Sequence, residues 1–93
     1  MSKKSVHYGV VHTACEIGAV ARAHRKAQGV TINTVSGLGN INPRFLSEFE
    51  RGKETAELGK VLKALQTLGL EVIIRPRGSG QADPGTVGDP ADD

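Results

Sequence analysis

The chain lacks most of the residue types that build disulfide frameworks and large aromatic cores. Its 93 residues include one cysteine, no tryptophan, one tyrosine and two phenylalanines. A single cysteine excludes an internal disulfide, so we interpret Cys15 as a small, buried or half-buried apolar residue in a reducing compartment. The core expected from so few aromatic residues is thin, and short chains bury a smaller fraction of their surface than long ones. We therefore expect help from a partner subunit.

Long apolar runs are also missing. No segment approaches the roughly 20 consecutive apolar residues of a membrane-spanning helix. Lys3 and Lys4 lie near the start of the chain, but no apolar stretch follows them as it would in a signal peptide. We expect a cytoplasmic protein with no membrane partner.

Groups suited to catalysis or metal binding are scattered. The three histidines are too widely spaced to form a metal site with the one cysteine. The glycines of residues 36–39 follow no predicted strand, which argues against a phosphate-binding loop, and no two carboxylates are placed for acid–base chemistry. We expect no catalytic residue, no metal and no cofactor, and we interpret His24 as a packed core histidine.

Charge is present in quantity and is unevenly distributed. The formal net charge is +2, from 12 basic and 10 acidic residues. Four of the acids and no base fall within residues 83–93, so the rest of the chain has 12 basic against 6 acidic residues, a charge of +6. A basic body with an acidic tail is common in nucleic-acid-binding proteins, although both parts could also serve only solubility.

Capping signals predict the first helix. Residues 1–12 form an N-terminal arm, with the alternation of a short strand near its end. Thr13 and Glu16 have the spacing of a capping box, which predicts a helix over residues 14–28. Gly29 supplies the left-handed residue that ends this helix.

A second helix and a tight turn follow. Thr31 caps a short helix whose inward-facing residues are Val35 and Leu38. The turn comprises Asn40 and Ile41, and asparagine tolerates the left-handed conformation that such a turn needs.

The third helix has the clearest start in the chain. Asn42 is a favoured N-cap residue, and Pro43 suits the first helical position because it has no amide to leave unsatisfied. Leu46 and Phe49 face the core, and Gly52 ends the helix. A tight turn before such a helix is the setting of a DNA-reading helix-turn-helix.

A fourth helix and a strand complete the predicted elements. The helix spans residues 55–68 and carries an apolar stripe formed by Leu58, Val61, Leu62, Leu65 and Leu68. Residues 70–76 are short and β-branched and end at a proline, which predicts a strand. The remaining residues, 77–93, are too poor in apolar side chains to fold and form a disordered acidic tail.

A single strand on a helical domain leaves an unpaired edge, and such edges seek another chain. We expect the strand to pair with its own copy in a second subunit around a two-fold axis, through Leu70, Val72, Ile73 and Ile74. The alternative is pairing with residues 5–10. Residues 13–69 then form the helix-turn-helix domain, and residues 70–76 the dimerisation strand.

Outward-facing residues of the third helix are suited to contact DNA. Arg44 has the forked guanidinium that matches guanine O6 and N7. Ser47 can reach a base edge or a phosphate, and Asn42, beside Pro43, can meet backbone oxygens. Each residue alone would fit a solvated polar face equally well, and their place on this helix favours DNA contact.

Three stretches resemble the Xre family of phage-repressor-like regulators. Residues 25–31 (RKAQGVT) are similar to the end of the family's first helix and the start of its second. Residues 41–53 (INPRFLSEFERGK) resemble its recognition helix, and residues 62–70 (LKALQTLGL) resemble its last core helix. This resemblance implies a mostly α fold, a lambda-repressor-like bundle of four short helices, to which the strand is added.

The resemblance also implies an ion pair between Arg25 and Glu50 that fixes the orientation of the recognition helix. Three positions depart from the family, since Ile32 replaces a phosphate-gripping glutamine, Ser36 an alanine and Asn40 a glycine. The glutamine contact is therefore not carried over. Phosphate contacts fall instead to backbone amides at helix N-termini and to four side chains, those of Asn33, Thr34, Arg51 and Lys53.

The added strand is similar to that of HipB-like antitoxins within the family. This second resemblance implies a dimeric repressor that binds an inverted-repeat operator in double-stranded DNA, represses its own operon and binds a HipA-like kinase toxin. Two alternatives stay open. One is a stand-alone Xre-type repressor without a toxin partner, and the other is a protein-interaction module with incidental DNA binding.

Overall fold

The computed structural model describes residues 6–78. Four helices follow one another in this part of the chain, namely α1 (Ala14–Ala27), α2 (Ile32–Gly39), α3 (Pro43–Glu50) and α4 (Leu58–Leu68). Of the predicted arm, residues 1–5 lie outside the described residues, and so do residues 79–93 of the predicted tail.

Side chains cap the first two helices as the sequence predicts. The Thr13 hydroxyl accepts a hydrogen bond from the Glu16 amide at 3.0 Å, and the Glu16 carboxylate reaches back to the His12 amide. The Thr31 hydroxyl accepts from the Thr34 amide at 3.1 Å. These bonds satisfy amides that have no partner within the helix, which is why α1 and α2 begin where they do.

The core lies between the four helices and is mainly aliphatic. Phe49 is the one aromatic side chain among the buried apolar residues described, which are Ala21, Val35, Ile41, Leu46, Phe49, Val61, Ala64, Leu65 and Leu68. Phe45 packs on the edge of this cluster, with its ring stacked near that of Phe49 at a centroid distance of 6.4 Å.

Two helix contacts depend on glycines. A Cβ at Gly18 of α1 would meet the backbone carbonyls of Phe49 and Glu50 at the end of α3. A Cβ at Gly39 of α2 would lie 2.6 Å from Thr67 Oγ1 of α4. At Gly18 the two backbones therefore approach more closely than any larger residue permits, and α3 is held tightly against α1.

The start and the buried face of α4 differ from the prediction. The helix begins at Leu58 rather than at residue 55, because residues 53–56 close a separate turn in which the Ala56 amide donates to the Lys53 carbonyl at 3.4 Å. Leu58 is 68% exposed and Leu62 is 40% exposed. The buried stripe instead includes Ala64, whose small side chain allows close packing.

Cys15 was predicted to be at least half-buried, but it is exposed. Leu38 was also wrongly predicted to face the core. It is 74% exposed, because α2 packs through Val35 and the close contact at Gly39. That contact turns the Leu38 side of the helix towards solvent.

No β-strand is present in residues 6–78 of the single chain, although one was predicted at residues 70–76 and another was considered at residues 5–10. Residues 71–76 have no regular secondary structure and are exposed. A strand needs a second strand beside it, and no other strand lies next to residues 71–75 within the described part of the chain. None of the described helices is long and apolar enough to cross a membrane.

Candidate DNA-binding interface

Helix α3 has one buried face and one open face. Leu46 and Phe49 are 1% and 2% exposed, which anchors the helix to the core. Asn42, Pro43 and Arg44 are exposed at its first turn. The Asn42 Oδ1 atom accepts from the Arg44 backbone amide at 2.7 Å and caps the helix, as predicted. The side-chain nitrogen of Asn42, Nδ2, can still donate to another acceptor.

The turn between α2 and α3 is closed by Ser36. Its backbone carbonyl accepts from the amides of Asn40 and Ile41, and its hydroxyl donates to the Ile41 carbonyl. Asn40 adopts the left-handed conformation with φ 55°. A serine at this position therefore fits the contact between the helices, because its hydroxyl is bonded across the turn.

An ion pair between Arg25 and Glu50 links α1 to the end of α3. Arg25 Nε donates to Glu50 Oε2 at 2.7 Å, and Nη2 donates to Oε1 at 2.9 Å. Both side chains are at most 9% exposed, and hydrogen bonding to Glu50 raises the pKa of Arg25. Arg25 Nη1 also donates to the Val30 carbonyl at 2.8 Å. One guanidinium thus joins α1, the entry to α2 and the end of α3.

The predicted DNA contacts form two groups on the surface. Arg44 and Ser47 lie on α3, with Arg44 85% exposed in its side chain and Ser47 half-buried. Arg51 and Lys53 follow α3 and are exposed. Lys53 approaches the α3 group through its bond to Glu48, at 3.0 Å between Nζ and Oε1.

The second group lies at the start of α2. Asn33 and Thr34 are exposed there. The Thr34 hydroxyl is 3.1 Å from the Thr31 hydroxyl. Ile32 packs against the core, so this position offers no polar group to a phosphate.

The predicted dimerisation residues divide into one inner and three outer side chains. Leu70 packs against the core, and its amide donates to the Leu65 carbonyl at 2.8 Å. Val72, Ile73 and Ile74 are 52%, 69% and 91% exposed. These three apolar side chains have no cover within the described residues.

Two features were not found from the sequence. Glu48 pairs with both Arg44 and Lys53 on the open face of α3. Both ring nitrogens of His24 are hydrogen-bonded, Nδ1 to the Tyr8 hydroxyl at 2.7 Å and Nε2 to the Leu68 carbonyl at 2.9 Å. It therefore fastens the arm to α1 and α4 and is only half-buried. The ion pair between Arg44 and Glu48 could have been predicted, because residues four apart on a helix are neighbours on its surface.

A curated relative shares much of this sequence. An HTH-type transcriptional regulator of Sinorhizobium fredii, y4mF, described as uncharacterised, is 41% identical over 64 residues, which are 69% of this chain and 84% of that protein. The chain belongs to the HTH-type transcriptional regulators. This regulator is therefore a non-enzymatic DNA-binding protein of the Xre-like type. No family model matches the sequence.

Solved structures show the same fold. The regulator superposes on HipB in a HipB–O4 20mer complex with a TM-score of 0.71 and 18% identity, covering 75% of this chain and 99% of that one. A HipA–HipB–O2–O3 complex gives a TM-score of 0.70, also with 18% identity and coverage of 75% and 99%. The prediction of a helix-turn-helix bundle of four helices is confirmed.

Proposed function

We propose that this regulator is a sequence-specific repressor that reads its operator with α3. The observation that carries the proposal is the two-sided character of this helix. Leu46 and Phe49 fix one face in the core, while Arg44 extends from the other with its guanidinium in solvent. A guanidinium at the first turn of a helix that enters the major groove can donate two hydrogen bonds to guanine.

Phosphate contacts complete the proposed interface. Arg51 and Lys53 follow α3, and Asn33 and Thr34 begin α2, so that donors lie at both ends of the helix-turn-helix. Contacts to phosphates hold the protein in register on the duplex while base contacts select the sequence. Asn42, Pro43 and Ser47 lie between these groups and contribute to the contact surface.

The functional test is binding-site selection from a randomised duplex pool. A repressor with this interface should enrich one sequence and bind it about a thousandfold more tightly than random DNA, with affinity falling steeply as salt rises. Failure to enrich any sequence at moderate salt would contradict the proposal and favour the alternative of a protein-interaction module.

The repressor acts as a dimer in this proposal. Val72, Ile73 and Ile74 are exposed apolar residues on a segment that has no strand partner in the described chain. Pairing with the same segment of a second copy would cover them and satisfy their backbone groups. A two-fold dimer predicts an inverted-repeat site with half-sites about one helical turn, roughly 34 Å, apart. Footprinting of the selected site tests this spacing.

The regulator further serves as the antitoxin of a HipBA-like system and represses its own operon. The support for this step is the shared fold with HipB, including a structure in which HipB is complexed with HipA. If a kinase-like protein is encoded beside this gene, the two purified proteins should form a stable complex in size-exclusion chromatography. If no kinase-like protein is encoded beside this gene, or if such a protein forms no complex with the regulator, a stand-alone repressor is the better description.

A further inference from the structure

Glu48 lies on the open face of α3, one helical turn beyond Arg44. Its Oε1 accepts from Lys53 Nζ at 3.0 Å, and its Oε2 lies 3.4 Å from Arg44 Nε. One carboxylate therefore holds a cation from the first turn of the helix and another from the segment that follows it.

Fold stability does not account for this arrangement. Glu48 lies in the last turn of α3, where the helix dipole disfavours a negative charge. Its partners are exposed, Arg44 by 85% and Lys53 by 47%, and exposed ion pairs add little to stability. The other carboxylate of this turn, Glu50, is neutralised by a buried arginine. Glu48 has no such structural partner among the described residues.

The carboxylate is charged when DNA arrives. Lys53, and to a smaller extent Arg44, hold the pKa of the Glu48 carboxyl below its usual range. It therefore cancels part of the positive charge that Arg44, Arg51 and Lys53 would otherwise present to phosphates.

The contact to Arg44 leaves the end of its side chain free. Glu48 approaches Nε, on the inner part of the guanidinium, so the two terminal nitrogens can still meet guanine O6 and N7 together. Arg44 can thus read a base without leaving Glu48. A phosphate on random DNA has to compete with Glu48 for both Arg44 and Lys53.

We propose that Glu48 is a specificity-determining residue that positions Arg44 for base reading and withholds Arg44 and Lys53 from non-specific phosphate contact. This inference rests on the proposed reading of DNA by α3. It assigns to a negative charge the task of weakening the wrong complexes rather than strengthening the right one.

Glu48→Gln tests the proposal in the full chain. Affinity is measured across a range of salt for the sequence that the wild-type protein selects and for a random duplex of the same length. The variant should bind random DNA several-fold more tightly, with a log–log salt slope steeper by about one unit because Lys53 is freed for a phosphate. Its preference for the selected site should fall about tenfold, as for a lost base contact.

Glu57→Gln is the matched control. Glu57 is an exposed carboxylate at the N-cap position of α4 and is paired with Lys60 of that helix at 3.7 Å, so this variant also removes one negative charge from an exposed ion pair. Its preference for the selected site should equal that of the wild-type protein. Glu48→Asp keeps the charge and should retain most of the preference, and thermal unfolding should be similar for all of these variants.

The outcomes separate this inference from the proposed function. A wild-type protein that discriminates, together with a Glu48→Gln variant that discriminates equally well, would overturn the role of Glu48 alone. An equal loss in Glu48→Gln and Glu57→Gln would also overturn it, since general charge would then be the cause. A wild-type protein without discrimination would overturn the proposed function and this role with it.

Discussion

At the scale of single residues, Arg25 determines how α3 is held against α1. Its guanidinium makes two bonds to Glu50 and one to the Val30 carbonyl, all from a side chain that is 9% exposed. A buried pair of this kind adds little net stability, because desolvation offsets attraction, but it fixes relative orientation through its geometry. The orientation of α3 thus depends on a residue in another helix.

Arg25→Ala should destabilise the fold by about 3–5 kcal/mol, because it leaves the Glu50 carboxylate buried without a partner. Urea denaturation measures the loss. Arg25→Met combined with Glu50→Leu removes both charges and should recover a large part of it, though not all, since the Val30 carbonyl still loses its donor. A single variant as stable as the wild-type protein would show that the pair has no structural role.

Arg44→Ala should weaken binding to the selected site by about 1–3 kcal/mol and relax the preference at one base pair. The fold should be unaffected, because the Arg44 side chain is 85% exposed. Repeating the site selection with the variant identifies the base pair. Arg22→Ala removes an exposed arginine from α1 and serves as the control. An unchanged selection profile for Arg44→Ala would exclude this residue from base reading.

At the scale of elements, the helices are fitted together by small residues. Gly18 brings α1 against the end of α3, and Gly39 brings α2 against α4. Ala21 and Ala64 are fully buried in the same bundle. A chain with so few aromatic residues fills its core by bringing backbones close rather than by adding side-chain volume.

Gly18→Ala and Gly37→Ala should have opposite effects on stability. The first places a methyl group against the carbonyls of Phe49 and Glu50 and should cost about 1–3 kcal/mol or more, because backbone atoms have to move. The second adds a methyl group in open space on α2 and should stabilise the helix by about 0.5–1 kcal/mol. Thermal unfolding of both variants provides the comparison, and equal shifts would argue against a close α1–α3 contact.

At the scale of the whole molecule, several apolar side chains are left uncovered in the single chain. Val72, Ile73 and Ile74 follow α4, and Leu58 and Leu62 lie on α4 itself. The uncovered residues after α4 are consecutive, and their backbone has no strand neighbour in the described residues. This combination favours a second copy as their cover.

Replacing Val72 and Ile74 with glutamate should convert the proposed dimer to monomers, because charges would face each other across a paired strand. Sedimentation velocity measures the change. Leu38→Glu alters an exposed leucine on α2 and should leave the proposed dimer intact. If the Val72 and Ile74 variant still sediments as a dimer, the interface lies elsewhere, with the exposed face of α4 as the next surface to test.

The sequence by itself determined where three of the four helices begin, since Thr13, Thr31 and Asn42 satisfy backbone amides within their own helices and need no distant partner. It also predicted that Leu46 and Phe49 of α3 are buried, but it did not fully determine which side of α2 and α4 is buried. Leu58, Leu62 and Leu38 match the apolar pattern and are exposed, because the close contacts at glycine and alanine choose the packed face.

The candidate DNA-binding interface also has residues that the sequence predicts and contacts that only the tertiary structure reveals. Asn42, Pro43 and Arg44 could be found from the sequence, because a cap and an outward position depend on neighbours along the chain. The bond from Lys53 to Glu48 could not, since it depends on how the chain turns after α3. Likewise the strand predicted at residues 70–76 would depend on hydrogen bonds to a neighbouring strand, and residues 6–78 supply no such strand. Local bonding is encoded in sequence order, whereas contacts between elements are decided only when the backbone folds.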